Sequence, residues 1–468
     1  MPEHAEPAND LISAEQDVPP EFADDALALR FVEQHGHKLR YIASWGQWFI
    51  YDGSCWEQDK TMQIFSLVRG TCRSAAAECE SRNNDKNNAR IAVRLASKQT
   101  VYAVENLARA DRRVAAVTEQ FDADPWLLNT PGGTVDLRTG IIRPHRVTDH
   151  VTKITAVAPG GNCPVWYAFL QRVTGGDADL QTFLQRMAGY ALTGVTTEQA
   201  LFFLYGLGGN GKGVFLNTLT AIMRAYAAVA SMDVFTDSKN DRHPTDMAML
   251  RGARLVTAQE TEDGRRWAES KIKVLTGSDP ITARFMRQDF FTFVPQFKLV
   301  IAGNHKPGLR NVDKAIRRRF NLVPFTVTIS DGERDKDLPE KLKAEWSGIL
   351  QWAIEGATAW HESGLAVPAV VMNATAEYLE GEDAIERWIK EGCIEGNSCT
   401  ATVTDLYLSW TEWCKRTGEY AGSQKRFISN IKTKRPALIP WQCPVTRRTG
   451  FQGLHAIKQV QPHWSDPQ

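Results

Sequence analysis

One stretch decides the fold of the central part of the chain: Ala200-Leu-Phe-Phe-Leu-Tyr-Gly-Leu-Gly-Gly-Asn-Gly-Lys-Gly-Val-Phe-Leu-Asn-Thr-Leu-Thr-Ala-Ile-Met223. An apolar strand is predicted first, then a glycine-rich loop, and then a helix, which is the context of a Walker A loop. In such a loop successive backbone N–H groups and the helix N-terminus face phosphate, and Lys212 adds a formal charge. The sequence therefore predicts an ATP site made of Gly206, Leu207, Gly208, Gly209, Asn210, Gly211, Lys212, Gly213 and Val214. The alternative is a glycine-rich turn followed by a surface lysine.

The loop departs from the usual pattern at its last position. Gly213 stands where Ser or Thr normally supplies a hydroxyl to Mg²⁺. Either water fills that coordination position or the loop binds the metal more weakly. The prediction of ATP and Mg²⁺ as cofactors therefore leaves open how the metal is held.

Two further apolar strands end in polar residues. Residues 253–258 run into Gln259 and Glu260, which fits a Walker B position in which only the second residue is an acid. We expect Glu260 to act in catalysis, by polarising the attacking water or by holding Mg²⁺ through water. Residues 298–302 run into Gly303 and Asn304, and Asn304 is predicted to position the hydrolytic water. Read singly, a strand-end acid and a turn asparagine would be ordinary structural residues.

Length and composition set the outer limits. At 468 residues and about 150 residues per domain, the prior is about three domains. A hydrophobic content of 43% excludes a wholly disordered chain. There is no apolar run long enough for a bilayer span and no signal-peptide pattern. The 8 cysteines contain no C-x-x-C pair, which favours reduced thiols over a zinc site or disulfide framework. We expect a cytoplasmic protein with no membrane partner.

The charge is balanced overall but uneven along the chain. The 55 bases equal the 55 acids, yet residues 1–29 carry acids and no Lys or Arg, and residues 423–460 carry bases and no acid. A basic end is a candidate contact for a polyanion, whereas the acidic start is most simply a solvated tail.

The pattern of elements predicts an α/β protein with five segments. Aromatic residues over 39–56 indicate a hairpin, a helical stretch follows from about 61 to 113, and 158–164 reads as a linker. The predicted segments are a disordered acidic tail (1–23), an N-terminal α+β domain (24–157), a helical collar (164–197), the ATPase domain (198–383) and a C-terminal domain (384–468).

The order of the central motifs resembles superfamily 3 helicases, and more narrowly the phage and plasmid primase–helicase family related to the poxvirus primase–helicase. The resemblance rests on the Walker A loop, Gln259-Glu260, Lys273-x-x-x-Gly277-x-Asp279, the strand before Asn304 and Arg317-Arg-Arg-Phe320. It covers roughly residues 30–460. It implies an AAA+-like ATPase core that forms rings, usually hexamers, and translocates on DNA at replication origins or forks, here in a bacterial host cell.

The same resemblance implies roles for particular cations. Lys273 begins a motif whose hairpin, with arms over 281–286 and 290–294, contacts DNA in related rings, and Arg284 and Arg287 suit phosphate contact by their charge. Arg319 matches the arginine finger that reaches the neighbouring subunit's ATP site. The alternatives are an ordinary hairpin with solvated arginines and a basic cluster at a helix end.

The basic C-terminal end has the outline of a winged helix. A helix over 403–414 and a second over 424–434 precede two predicted strands, 441–444 and 450–457, and the family often carries such a domain here. We expect the cations of the second helix and of the hairpin tip to contact duplex DNA, namely Lys425, Arg426, Lys432, Lys434, Arg447 and Arg448. A solvated basic face or a protein-binding surface are the alternatives.

Residues 1–150 lack the clustered acids or the Cys and His spacing of a primase site. We therefore predict a helicase without primase activity, which binds single-stranded and duplex DNA and relies on a separate primase or replication initiator. Three other interpretations compete: a helicase-loading or origin-binding ATPase, a DNA-packaging motor and a non-enzymatic DNA-binding scaffold. A packaging motor normally carries a nuclease domain, for which we find no acids at strand ends. A scaffold would not need Lys212, Glu260 and Asn304 in register.

Overall fold

The computed structural model describes residues 19–82, 86–237, 245–260, 265–286, 289–310 and 312–457. The predicted acidic tail lies almost wholly outside these residues. The chain forms two compact units, one made of residues 1–160 and 222–226, and the other of residues 161–221 and 227–468. Apart from residues 222–226, the predicted collar, ATPase and C-terminal segments thus belong to one unit. Within the described residues, no helix is long and apolar enough to cross a membrane.

The first unit combines helices with two small sheets. Its helices are α1 (Asp24–His35), α2 (Gln63–Arg82), α3 (Lys86–Leu95) and α4 (Lys98–Ala108). Its strands are β1 (Leu39–Ile42), β2 (Gln47–Tyr51), β3 (Trp56–Gln58), β4 (Ala115–Ala116), β5 (Leu127–Thr130), β6 (Gly133–Asp136) and β7 (Ile141–Arg143). They pair in the orders β3-β2-β1-β4 and β5-β6-β7.

The sequence pattern of this unit is confirmed in outline. The aromatic stretch forms an antiparallel hairpin of β1 and β2, in which Tyr41 lies opposite Trp48. The predicted helical stretch is three helices, and the last begins after Ser97, whose hydroxyl accepts the N–H of Thr100 as an N-cap. Apolar residues of α1, α2 and α4 form one core, with Phe31 and Val68 fully buried.

The second unit begins with two helices and continues into alternating strands and helices. The helices up to residue 382 are α5 (Pro164–Val173), α6 (Ala178–Leu192), α7 (Lys212–Met223), α8 (Thr245–Ala248), α9 (Glu269–Leu275), α10 (Lys314–Arg317), α11 (Leu338–Ala344), α12 (Trp346–Ser363) and α13 (Ala369–Glu382). The strands are β8 (Leu201–Tyr205), β9 (Ala227–Val229), β10 (Leu255–Glu260), β11 (Ile281–Ala283), β12 (Phe291–Phe293), β13 (Lys298–Gly303) and β14 (Phe320–Pro324).

Five of these strands form one parallel sheet in the order β14-β8-β13-β10-β9. Strands β13 and β14 are buried along their whole length, as expected for a parallel sheet that is covered on both faces. All carboxyl ends of parallel strands meet at one edge, which is where ligands bind in open α/β sheets. The topology thus brings the loop after β8 beside the ends of β13 and β14.

Helices α6 and α12 cross at unusually short range. Gly189 of α6 and Gly356 of α12 lie at the crossing, where an added Cβ would collide with backbone atoms of Ala357 or Gln185 on the facing helix. Small residues let the two backbones approach this closely. The collar helices are therefore packed onto the helical part of the same unit.

The C-terminal part of this unit has the order helix, strand, helix, helix, strand, strand. These elements are α14 (Ala384–Gly392), β15 (Cys393–Thr402), α15 (Val403–Thr417), α16 (Gln424–Lys434), β16 (Ile439–Gln442) and β17 (Thr449–Ala456). The three strands form a sheet in the order β15-β17-β16. The two predicted strands are confirmed, although the first lies two residues earlier. Strand β15 is not predicted by the sequence pattern, because its residues are mostly polar and include glycine.

Candidate functional site

The glycine-rich loop lies at the carboxyl edge of the sheet, where the sequence predicts it. The loop joins the end of β8 to α7, and α7 begins at Lys212 itself. Gly206 has φ +152°, and an added Cβ would collide with the carbonyl oxygen of Phe325. Gly211 has φ +86°, and its Cβ would lie 2.5 Å from Val173 Cγ1 on α5. The loop therefore requires glycine at both positions because of backbone conformation and close packing.

Lys212 turns its ammonium group into the loop. Its Nζ donates to the carbonyl oxygen of Gly206 at 2.6 Å, to Asn210 Oδ1 at 3.0 Å and to Asn304 Oδ1 at 3.2 Å. Only 6% of the residue is exposed, and burial lowers the pKa of the ammonium from its ordinary value. The charge is thus held in a polar pocket whose oxygen partners can be exchanged for phosphate oxygens.

Asn210 has a role that the motif alone does not give. Its side chain is buried, with Nδ2 donating to the carbonyl oxygen of Phe325 at 2.7 Å while Oδ1 accepts from Lys212. It therefore fixes both the loop and the lysine. In the sequence, Asn210 is visible only as an amide side chain two residues before Lys212, and the Walker A pattern assigns no role to that position.

The three strand ends lie level with one another. Glu260 pairs with Gly303, and Gly303 pairs with Tyr205, so the end of β10, the end of β13 and the start of the loop share one row. Asn304 follows directly and reaches Lys212. The side chain of Glu260 lies outside the described residues, so its predicted catalytic and metal-binding roles stay predictions. The register expected from sequence is confirmed for the backbone.

The site fits a phosphate group better than it fits a dedicated metal shell. The glycines leave a cradle that side chains would fill, and a buried cation lies at its end. Gly213 offers no hydroxyl, and an added Cβ there would meet no atom within 4 Å. Oxygen ligands for Mg²⁺ could come from Asn304 and Glu260, with water for the rest.

The three consecutive arginines differ in their surroundings. Arg319 is 6% exposed, and its guanidinium donates to Thr276 Oγ1 at 2.9 Å and to the carbonyl oxygen of Ala315 at 2.8 Å. Reaching a neighbouring subunit would require both bonds to break. Arg317 and Arg318 are exposed, and Arg318 donates to Gln199 Oε1 at 2.8 Å. The finger role of Arg319 stays a prediction, and Arg318 is the more exposed of the two.

The predicted hairpin exists, but its arms are shorter than expected. Strands β11 and β12 pair Ile281 with Phe293, so each arm has three residues rather than five or six. Arg284 lies over the ring of Phe290 at 4.8 Å. Arg287 lies outside the described residues. Lys273 forms an ion pair with Asp313 at 2.5 Å, so its charge is already matched within the chain.

The C-terminal cations separate into two groups. Lys425, Lys432, Arg447 and Arg448 are exposed, and the last two lie in the turn between β16 and β17. Lys434 is instead mostly buried and forms an ion pair with the buried Asp383. The side chain of Arg426 lies outside the described residues.

Asp383 is a charged residue whose importance the sequence pattern does not reveal. Its carboxylate caps α14 by accepting the N–H of Glu386 at 3.2 Å. It also receives Lys434 from α16 and Arg317 from the arginine cluster at 3.3 Å. A lone Asp before a helix predicts only the cap, and the two ion pairs depend on the tertiary structure.

Comparison with known proteins shows which families and proteins this chain is similar to. Residues 28–175 match the family described as "D5 N terminal like", and residues 204–319 match "Family of unknown function (DUF5906)". A protein of Acanthamoeba polyphaga mimivirus named "Putative helicase" is 22% identical over 322 residues, which is 63% of this chain and 33% of that protein. A protein of Frog virus 3 (isolate Goorha) with the same designation is 24% identical over 261 residues, covering 51% of this chain and 26% of that protein. These matches support the resemblance to the phage and viral primase–helicase family.

The predicted resemblance is thus confirmed. This chain spans a third or less of the length of these curated relatives. Among solved structures, the apo structure of the NrS-1 C-terminal region has a TM-score of 0.52. The match covers 92% of this chain and 99% of that one at 11% identity. At this identity the likeness shows a shared mixed α/β fold.

Proposed function

We propose that this protein is an ATP-driven DNA helicase with an AAA+-like core. The observation that carries the proposal is the contact of Lys212, the first residue of α7, with Asn304, which directly follows β13; the Lys212 Nζ and Asn304 Oδ1 atoms lie 3.2 Å apart. A cation and an amide that converge on a glycine cradle are suited to holding a triphosphate and orienting the attacking water. The names of the two viral relatives favour a helicase among ATPases of this kind.

Each side chain has a distinct part in this proposal. Lys212 binds and neutralises phosphate, Asn304 positions water, and Glu260 at the level of both takes the proton or holds Mg²⁺ through water. Mg²⁺, when bound, supplies charge neutralisation at the phosphates. Asn210 is held by its hydrogen bond to the carbonyl oxygen of Phe325, and its Oδ1 accepts from Lys212 and so orients the lysine.

DNA contact is assigned to two exposed regions of the second unit. The hairpin of β11 and β12 carries Arg284, and the turn between β16 and β17 carries Arg447 and Arg448. The order of elements from α14 to β17 is that of a winged helix, with the β16–β17 turn as the wing. Phosphate contacts of this kind give affinity without sequence preference. The finger role proposed for Arg318 or Arg319 requires a neighbouring subunit. We therefore expect a ring of identical subunits, most simply a hexamer.

The proposal is tested by DNA-stimulated ATP hydrolysis and by strand displacement on a forked duplex. Lys212→Ala should abolish nucleotide binding, whereas Glu260→Gln should bind ATP without turning it over. Wild-type protein should separate the forked strands, and both variants should fail. Full turnover in both variants would contradict the site assignment.

A helicase-loading or origin-binding ATPase is the second candidate. Its site would be the same, because the motifs of the loop and the strand ends do not distinguish the two activities. A loader should hydrolyse ATP on DNA and yet leave a forked duplex intact, so the displacement assay separates the candidates. A packaging motor is disfavoured because the sequence shows no nuclease acids, and reliance on a separate primase remains part of the proposal.

A further inference from the structure

The segment after β14 lies along the phosphate loop. The N–H of Phe325 donates to the carbonyl oxygen of Tyr205 at 2.8 Å, and its own carbonyl oxygen accepts from Asn210 at 2.7 Å. Four residues later the N–H of Ile329 donates to the carbonyl oxygen of Gly209 at 2.9 Å. The segment from Phe325 to Ile329 is therefore fixed to the loop at three points.

The residues that follow this segment bring a second cation, Arg334, to the loop. A Cβ added to Gly209 would collide with the Nη2 atom of Arg334 and lie 3.3 Å from its Cζ. The guanidinium therefore lies against the backbone of Gly209, which has φ +75°. Glycine at this position leaves the space that the guanidinium occupies.

The surroundings of Arg334 leave it available to a ligand. Its side chain is 52% exposed and pairs with Asp331 at 2.7 Å, and the Asp331 side chain is 90% exposed. An exposed ion pair of this kind contributes little to stability, so a multiply charged phosphate can replace the carboxylate. Glu333 holds the segment in place, since it accepts from Arg172 of α5 at 3.0 Å and from the N–H of Ser330 at 3.1 Å.

We propose that Arg334 is a nucleotide-binding residue that contacts the phosphates from within the same subunit. The inference rests on the proposed function, because it assumes that the loop holds a nucleotide. The guanidinium offers planar, bidentate donors that match phosphate oxygens. It supplies positive charge at a loop in which Gly213 provides no hydroxyl for the metal. Neither the motif spacing nor the resemblance points to this residue.

The experiment is a titration of the full-length chain with fluorescent ATP, ADP and adenosine in the presence of Mg²⁺. Arg334→Ala should weaken ATP and ADP binding by about tenfold or more, as expected when a hydrogen bond between charged groups is removed. Adenosine binding should not change, because adenosine carries no phosphate. Arg334→Lys should recover only part of the affinity, since it restores charge without the fork.

Lys341→Ala is the matched control. Lys341 is also 52% exposed and also pairs with an aspartate, Asp335, at 2.6 Å, but it lies on α11. Its removal should leave all three affinities unchanged. Asp331→Ala should keep or strengthen ATP binding, because it releases Arg334 from its carboxylate.

The outcomes separate this inference from the proposed function. If wild-type protein binds ATP, Lys212→Ala abolishes binding and Arg334→Ala binds as wild type, the role of Arg334 is overturned and the ATP site stands. Equal losses of affinity for ATP and adenosine would also overturn it, because they indicate a structural effect. If wild-type protein binds no nucleotide at all, the proposed function itself fails.

Discussion

At the residue scale, Gly213 is the position where the loop departs most from its usual composition. It lies in the first turn of α7, without a positive φ, and an added Cβ would meet no atom within 4 Å. The structure therefore gives no steric reason for glycine here, in contrast to Gly206 and Gly211. The absence of a hydroxyl is a chemical feature of the site, open to direct test.

Gly213→Ser should retain ATP hydrolysis and reach half-maximal rate at a lower Mg²⁺ concentration. The physical reason is that the new hydroxyl supplies a metal ligand in a space that accepts it. The measurement is the Mg²⁺ dependence of the ATPase rate, with Gly213→Ala as the control that adds bulk without oxygen. An unchanged Mg²⁺ dependence would show that the metal shell is completed by other groups.

At the element scale, the C-terminal cations divide between the β16–β17 turn and the body of the fold. The turn carries Arg447 and Arg448 on its exposed side, whereas Lys434 at the end of α16 is paired with Asp383. The first two are accessible to a phosphate backbone, and the third contributes to the attachment of α16. The two groups should therefore respond differently to substitution.

The double variant Arg447→Ala/Arg448→Ala should bind duplex DNA more weakly and with a flatter salt dependence. Removing one phosphate-binding cation should reduce the slope of log affinity against log salt by about 0.9. Lys434→Ala should leave the slope unchanged and lower the free energy of unfolding by about 1–3 kcal/mol, since Asp383 is deprived of a charged partner. Lys415→Ala, which removes an exposed base on α15, is the neutral control. A slope unchanged in the double variant would exclude the turn from DNA binding.

At the scale of the whole molecule, the cluster Arg317-Arg318-Arg319 bears on the proposal that one subunit completes the ATP site of the next. Arg319 is buried and donates two hydrogen bonds inside its own chain, while Arg318 next to it is exposed and donates one, to Gln199. A finger must place its guanidinium at the γ-phosphate of the adjacent subunit, where charge develops during transfer. Because Arg318 is exposed, we expect it to act as the finger. Because Arg319 is buried and hydrogen-bonded, we expect it to stabilise the fold of its own subunit.

Arg318→Ala subunits should bind ATP and be inactive alone, and mixing with Lys212→Ala subunits should restore part of the hydrolysis. The Lys212→Ala subunits supply an intact finger but no working site of their own. The Arg319→Ala variant should have a lower melting temperature than the wild type, because the Thr276 hydroxyl and the carbonyl of Ala315 each lose a hydrogen-bond donor. If mixing restores ATP hydrolysis to Arg319→Ala but not to Arg318→Ala, the finger is assigned to Arg319. Electron micrographs of the protein with an ATP analogue would show whether rings form.

The sequence by itself determined the parts of the protein that depend on local order. The run from Ala200 to Met223 predicts strand, loop and helix, because apolar periodicity and glycine conformations act over neighbouring residues. The sequence also places Glu260 and Asn304 at the ends of two further strands, and in a parallel sheet these ends share one edge. The resemblance to primase–helicases followed from the order of these motifs.

Only the tertiary structure decided which charges are available and which are already engaged. Arg318 and Arg319 are adjacent in sequence, yet one is exposed and the other buried, because α10 ends just before them and the buried strand β14 begins just after. Asp383 gains Arg317 and Lys434 as partners from positions 66 and 51 residues away. Arg334 meets Gly209 because the segment after β14 returns along the loop. Such contacts depend on how distant segments fold together, and residue spacing carries no information about them.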